Sequence, residues 1–138
     1  MIQPAILRPG EIQSNDRGNG ARTTPLVTRK CGSTSMINGI TAFDPGAAIG
    51  LHKHNCEESV MVLDGQAIAE IDGAQYQLGP NDTTWIPPNI PHRFINASKT
   101  EPMRIFWIYA SIDATRTMIA TGEERPIDAE HHQPGAKS

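Results

Sequence analysis

Residues 46–65 read GAAIGLHKHNCEESVMVLDG and place His52 and His54 two positions apart, just before an apolar run. Residues two apart on a β-strand face the same side, so both imidazoles can reach one point. On an α-helix the same spacing would turn the rings about 200° apart. The pair therefore predicts a strand, and Glu58, which opens the apolar run, can add a carboxylate from an adjacent strand.

A second segment, GPNDTTWIPPNIPHRFIN at residues 79–96, adds His92 at the start of another apolar stretch. Three imidazoles and one carboxylate form a borderline-soft ligand set, which suits manganese, iron, nickel, cobalt or zinc. We expect one divalent metal ion held by His52, His54, Glu58 and His92. Four protein ligands leave open positions on an ion that prefers six, which is typical of reactive sites.

The rest of the chain favours an all-β fold. With 12 Gly and 11 Pro in 138 residues, turn signals separate short apolar runs. Asp72-Gly73 is the strongest hairpin signal. The residues from 103 to 110, apolar apart from Arg104, predict a strand buried on both faces. The predicted strands are 26–30, 36–43, 58–63, 66–71, 74–78, 83–87, 92–96 and 103–110, and 112–121 is either a helical turn or a strand.

One domain is expected at this length. Its predicted parts are a flexible N-terminal arm at 1–25, a barrel at 26–122 and a polar C-terminal tail at 123–138. His131 and His132 lie in that tail, where we expect them to be solvated.

Charge and cysteine content exclude several function classes. The net charge is −3 and no basic run occurs, which argues against nucleic acid and anionic membranes as partners. No basic segment followed by an apolar core appears at the N-terminus, so no signal peptide is predicted. Cys31 and Cys56 are too few for a disulfide scaffold. These features predict a cytoplasmic protein with free thiols.

The two segments together resemble the paired motifs of the cupin superfamily, in its small single-domain bacterial form. Asn81 and Asn89 stand where the second motif has glycines. Asn tolerates positive φ better than most residues, so it can hold the same turns. The matching positions are Gly46, His52, His54, Glu58 and Gly65 in the first motif, and Pro87, His92 and Asn96 in the second.

The resemblance implies a jelly-roll barrel, also described as a double-stranded β-helix, with one bound metal ion. It gives the ligand role to Glu58 rather than Glu57, which should point to the opposite face of its strand. It gives no ligand role to Cys56, which we expect to be a half-buried thiol. It also implies a homodimer, often formed by exchange of an N-terminal strand, for which the segment before Thr41 is the candidate.

A metal-dependent enzyme acting on a small oxygen-bearing molecule is the expected function, with dioxygenase-type oxidation as the preferred reaction. The alternatives are a non-redox isomerase, lyase or decarboxylase, and a binding module without catalysis. Tyr109 and the free form of Glu58 are candidate acids or bases, and Arg104 lies either at the rim or against an anionic substrate. The aromatic residues that can line the cavity are Trp85, Phe94, Phe106, Trp107 and Tyr109.

Overall fold

A computed structural model describes residues 3–127 of the chain. Its secondary structure consists almost entirely of strands, so the predicted all-β class is confirmed. Within residues 3–127, two short 3₁₀ helices occur at Pro9–Glu11 and Arg29–Cys31. The strands are β1 Asn15–Gly18, β2 Ala21–Pro25, β3 Ile37–Phe43, β4 His52–His54, β5 Glu58–Asp64, β6 Ala67–Ile71, β7 Ala74–Leu78, β8 Thr83–Ile86, β9 His92–Asn96, β10 Met103–Tyr109, β11 Thr115–Met118 and β12 Glu124–Pro126.

In the described part of the chain, the strands form two six-stranded antiparallel sheets. The first has the order β1-β2-β3-β10-β5-β8, and the second has the order β12-β11-β4-β9-β6-β7. Strands that follow each other in sequence often lie in different sheets, as β3 and β4 or β9 and β10 do. This alternation encloses the core and directs side chains from both sheets into one interior.

The core follows the period of two along β3 and β10. Alternate residues of each strand are buried, from Ile37 to Phe43 in one and from Met103 to Tyr109 in the other. Trp107 lies opposite Gly39, where a β-carbon would come within 2.6 Å of the indole. The expectation that β10 is buried on both faces was wrong, because its alternate residues beginning with Arg104 are exposed or half-buried.

The turn chemistry agrees with the sequence. Asp72 and Gly73 both have positive φ, at 51° and 86°, and they join β6 to β7 in the predicted hairpin. Asn81 and Asn89 also have positive φ, at 75° and 65°. The two asparagines therefore occupy the left-handed conformation for which glycine is the usual residue.

The N-terminal region differs from the expected flexible arm. Strand β2 pairs with β3 along its whole length, and Ala21 and Thr23 are completely buried. Strand β1 then extends the same sheet. Residues 13–25 carry little sign of this strand because they are polar and rich in glycine, and β2 is held by long-range pairing rather than by its own propensity.

Two further segments differ from the sequence prediction. Residues 26–30 form no strand; the Thr28 hydroxyl accepts a hydrogen bond from the Lys30 amide and starts a 3₁₀ turn instead. Within 112–121, the alternative of a strand is the one that forms, as β11.

The C-terminal boundary also lies further along than expected. Strand β12 pairs with β11, and Ile127 after it is fully buried, so the folded part continues beyond residue 122. The remainder of the predicted tail, including His131 and His132, lies outside the described residues. Within the described part of the chain, no helix has the length and apolar character needed to cross a bilayer.

Candidate metal centre

Three histidines from two neighbouring strands meet inside the barrel. Strand β4 turns His52 and His54 inward on either side of Lys53, and His52 pairs with His92 on β9. All three side chains are buried, and one ring nitrogen from each lies within 4.8 Å of the others. One ring nitrogen from each histidine can therefore reach the same metal ion.

Backbone carbonyls fix the orientation of each ring. The Nδ1 atoms of His52 and His92 lie 2.7 Å and 2.8 Å from the carbonyl oxygens of Gly50 and Ile90. The Nδ1 atom of His54 lies 2.9 Å from the carbonyl oxygen of Thr115 on β11. A carbonyl can only accept, so a neutral ring keeps its proton on Nδ1 and leaves the Nε2 lone pair for a ligand.

Glu58 reaches the same place from β5 in the opposite sheet. Its Oε1 atom lies 2.8 Å from Nε2 of His92 and 3.4 Å from Nε2 of His54. Despite these distances, none of the three atoms has a hydrogen bond of acceptable geometry. Glu57 points outward, where its carboxylate accepts a hydrogen bond from the exposed Trp85 indole.

Burial keeps two of the imidazoles neutral. It is the main reason that the pKa of His52 lies well below its usual value, with the charge of Arg116 acting in the same direction. Burial also lowers the pKa of His54 to about 4, although Glu58 opposes the shift. For His92, burial is outweighed by the adjacent Glu58 carboxylate, and its pKa is raised. Burial opposes ionisation of Glu58, but the neighbouring histidines outweigh it and lower the pKa of this carboxyl.

These donors fit a divalent first-row metal. The Nε2 atoms of His54 and His92 and Oε1 of Glu58 are buried polar atoms without hydrogen bonds, which is costly unless a further group binds them. Cys56 is not part of the cluster. Burial raises the pKa of its thiol, which keeps it protonated and a poor ligand.

A cavity of about 30 Å³ adjoins the cluster, which is room for about two water molecules. Its apolar wall would keep bulk water away from a bound ion. Tyr109 belongs to this wall, and its ring centroid lies 4.5 Å from that of His54. The hydrophobic and aromatic lining residues are Phe43, Ile49, Phe94, Ile105, Trp107 and Tyr109.

Three of the residues considered as lining, Arg104, Phe106 and Trp85, do not line the cavity, and Phe106 shares the face of β10 that carries Arg104. Arg104 lies on the outer face of β10, where its Nε donates a 2.9 Å hydrogen bond to the carboxylate of Asp64. Alternation places Arg104 on the opposite face from Trp107, so its side chain lies outside the cavity. Trp85 is 63% exposed on the edge strand β8.

Sequence reasoning missed two arginines that line the cavity, Arg17 on β1 and Arg116 on β11. Arg116 would have been detectable if 112–121 had been read as a strand, since a charged residue at a buried strand position is unusual. Arg17 lies in a polar, glycine-rich segment that carries no such signal.

This chain belongs to the cupin family: the family's cupin domain profile matches residues 39–109, which include every cluster residue. The polyketide synthase CurC of Streptomyces cyaneus is 30% identical over 106 residues, covering 76% of this chain and 69% of CurC. The profile match confirms the family that the two sequence motifs indicated.

Solved structures show the same fold at low sequence identity. The polyketide cyclase RemF of Streptomyces resistomycificus is 16% identical, with a TM-score of 0.72 over 91% of this chain and 86% of RemF. A predicted oxalate decarboxylase from Thermotoga maritima is 17% identical, with a TM-score of 0.70 over 78% of this chain and 99% of its own. These similarities confirm the jelly-roll barrel.

Proposed function

We propose that this chain is a metal-dependent enzyme that acts on a small organic molecule bearing carbonyl, enol or carboxylate oxygens. The observation that carries the proposal is the convergence of the His52, His54 and His92 imidazoles, each fixed through Nδ1. Together with Glu58 they would hold one ion of manganese, iron, nickel, cobalt or zinc. Such an ion supplies Lewis acidity to a substrate oxygen or, if redox-active, a place for dioxygen.

The remaining residues would orient the reacting group and control protons. The wall containing Phe94 and Trp107 excludes bulk water, which strengthens electrostatic interactions within the cavity. Tyr109 packs against His54 and is buried, so it holds that ring and can present its phenol to a substrate. We assign it as the candidate proton donor or acceptor.

The non-redox reaction is supported by the names of similar proteins. CurC and RemF are named for polyketides, and the Thermotoga maritima structure is described as a predicted oxalate decarboxylase. In 1,3-dicarbonyl compounds and carboxylic acids, polarisation of an oxygen favours enolisation or decarboxylation without an oxidant. We therefore place a cyclase, lyase or decarboxylase reaction first.

Dioxygenase-type oxidation is the second candidate, because the ligand set accommodates redox-active metals. Three imidazoles and a carboxylate suit redox-active iron and manganese as well as the other ions. Oxidation needs an open position for dioxygen, and four protein ligands would leave such positions on an ion that prefers six.

Oxygen uptake and product analysis separate the candidates. Protein reconstituted with Fe(II), Mn(II) or Zn(II) should be assayed over a panel of 1,3-dicarbonyl, hydroxy and keto acids. The proposal expects turnover that stops on chelation, without oxygen uptake for the non-redox reaction and with stoichiometric uptake for oxidation. Binding of panel compounds with no chemical change under any metal would instead support a binding module.

A further inference from the structure

Two arginines from distant parts of the chain line the cavity beside the histidines. Arg17 belongs to β1 at the edge of the first sheet, and Arg116 belongs to β11 in the second sheet. Arg116 is only 7% exposed, and Arg17 is half-buried. A buried arginine such as Arg116 is unusual, and Arg17 brings a second guanidinium to the same cavity, so one small site carries two positive charges.

A chain of polar contacts fixes Arg17 against the cavity wall. The Trp107 indole donates a 2.8 Å hydrogen bond to Oγ1 of Thr41, which lies 3.0 Å from Oγ1 of Thr23. Nη1 of Arg17 then donates to that same Thr23 oxygen at 3.2 Å. Both threonines are buried, and Thr41 and Trp107 themselves line the cavity. These contacts tie the N-terminal hairpin to the interior of the barrel and hold the Arg17 guanidinium at the edge of the cavity.

Arg116 approaches from the other side. It lies opposite His54 in the pairing of β11 with β4, and its charge acts on the three histidines and on Glu58. A fixed cation beside a divalent ion is repelled by it, and an anion placed between them interacts favourably with both. Each arginine also makes other interactions within the protein, so only the position of the guanidinium groups matters here.

We propose that Arg17 and Arg116 select an organic anion, such as a carboxylate or enolate, whose charge they share with the metal ion. This inference rests on the proposed function and narrows its substrate class. Guanidinium groups suit carboxylates because their N–H groups can donate two parallel hydrogen bonds. The two residues act on binding and position, so their loss should weaken anion binding without weakening the metal site.

Titration of Mn(II)-loaded protein with malonate tests the proposal, and malonamide serves as the neutral probe of the same shape. We compare the wild type with Arg17→Gln, Arg116→Gln and the outward-facing control Arg104→Gln. Calorimetry gives the dissociation constant for each probe, and competition with a chelator gives the affinity for Mn(II).

The proposal expects malonate to bind at least about tenfold more weakly to both cavity variants, a free-energy change of about 1.4 kcal/mol. Their Mn(II) affinity should be unchanged or higher, because a repelling cation has been removed, and the control should match the wild type. A purely structural role for the arginines would lower Mn(II) affinity as well. If Arg116→Gln does not fold, Arg17→Gln and Arg116→Lys carry the test, the latter with intermediate weakening.

Two outcomes overturn the proposal alone: malonate affinity within twofold of wild type in the cavity variants, or malonamide binding as tightly as malonate. Failure of wild-type protein to bind Mn(II), Fe(II) or Zn(II) would overturn the proposed function and this inference together. Metal affinity thus separates the two kinds of failure.

Discussion

The orientation of each histidine ring decides what the cluster can bind. Carbonyl oxygens accept from Nδ1 in all three rings, and His54 depends for this on β11, which also carries Arg116. Such partners of metal-binding histidines commonly change metal affinity by 10–100-fold when they are lost. Strand β11 therefore also orders the histidine cluster.

Metal affinity should depend on pH through His92. A ring must be neutral to ligate a metal, and the pKa of His54 is lowered to about 4 by burial, so His54 remains available in mild acid. The pKa of His92 is raised because Glu58 outweighs burial. The affinity for metal should thus be constant above the pKa of His92. Below that pKa the affinity should fall, because His92 must release about one proton for each metal ion bound.

Zn(II) titrations monitored by calorimetry between pH 8 and 5 measure this dependence. A Glu58→Gln variant should shift the decline to lower pH, because it removes the charge that raises the pKa of His92. Constant affinity over the whole range in the wild type would point to other ligands.

At the scale of single elements, the turn at Asn89 connects the second motif to the cluster. Asn89 has a φ of 65°, and its amide donates a 2.7 Å hydrogen bond to the carbonyl of His54. Asn89→Gly should change the free energy of unfolding by less than about 0.5 kcal/mol, since glycine adopts this conformation freely. Asn89→Val should lower it by about 1–2 kcal/mol. Urea denaturation measures both variants. Equal changes in the free energy of unfolding would show that the positive φ at residue 89 does not restrict which residue is tolerated there.

The pairing of β3 with β10 leaves no space at Gly39. A β-carbon there would lie 2.6 Å from the carbonyl oxygen of Thr24 and 2.6 Å from the Trp107 ring. Gly39→Ala should therefore lower the free energy of unfolding by about 1–3 kcal/mol and displace the cavity wall. The control is Gly10→Ala, where no heavy atom lies within 4 Å. Urea denaturation that shows equal stability for the two variants would contradict the close packing.

Local sequence patterns predicted the strands and turns well. They predicted the pairing between segments far apart in the sequence poorly. Alternation placed His52 and His54 on one face and separated Glu58 from Glu57. Positive φ explained the asparagines in the turns. The place of β2 in the first sheet depends on its pairing with β3, which leaves no periodic pattern in residues 13–25.

For the whole molecule, the N-terminal hairpin is expected to contribute to stability. Deleting residues 1–14 should have little effect, whereas deleting 1–25 should lower the free energy of unfolding by several kcal/mol, because β3 loses its partner β2 and the buried Ala21 and Thr23. Urea denaturation of both truncated chains against the full chain measures the difference. Equal stability of the two would mean that the hairpin is dispensable.

The homodimer remains a prediction. Light scattering of the full chain should give twice the chain mass of 15.0 kDa. A truncated chain that begins at Leu26 and still dimerises would rule out strand exchange as the cause.

The central claim is that a divalent ion binds where His52, His54 and His92 converge. The most direct measurement is the metal content of untagged protein, by elemental analysis after reconstitution and dialysis, for the wild type and the three single His→Ala variants. Circular dichroism verifies that each variant is folded, and Arg104→Gln controls for non-specific effects. We predict about one ion per wild-type and control chain, and a severalfold loss in each folded histidine variant. Full metal occupancy in all three histidine variants would contradict the account.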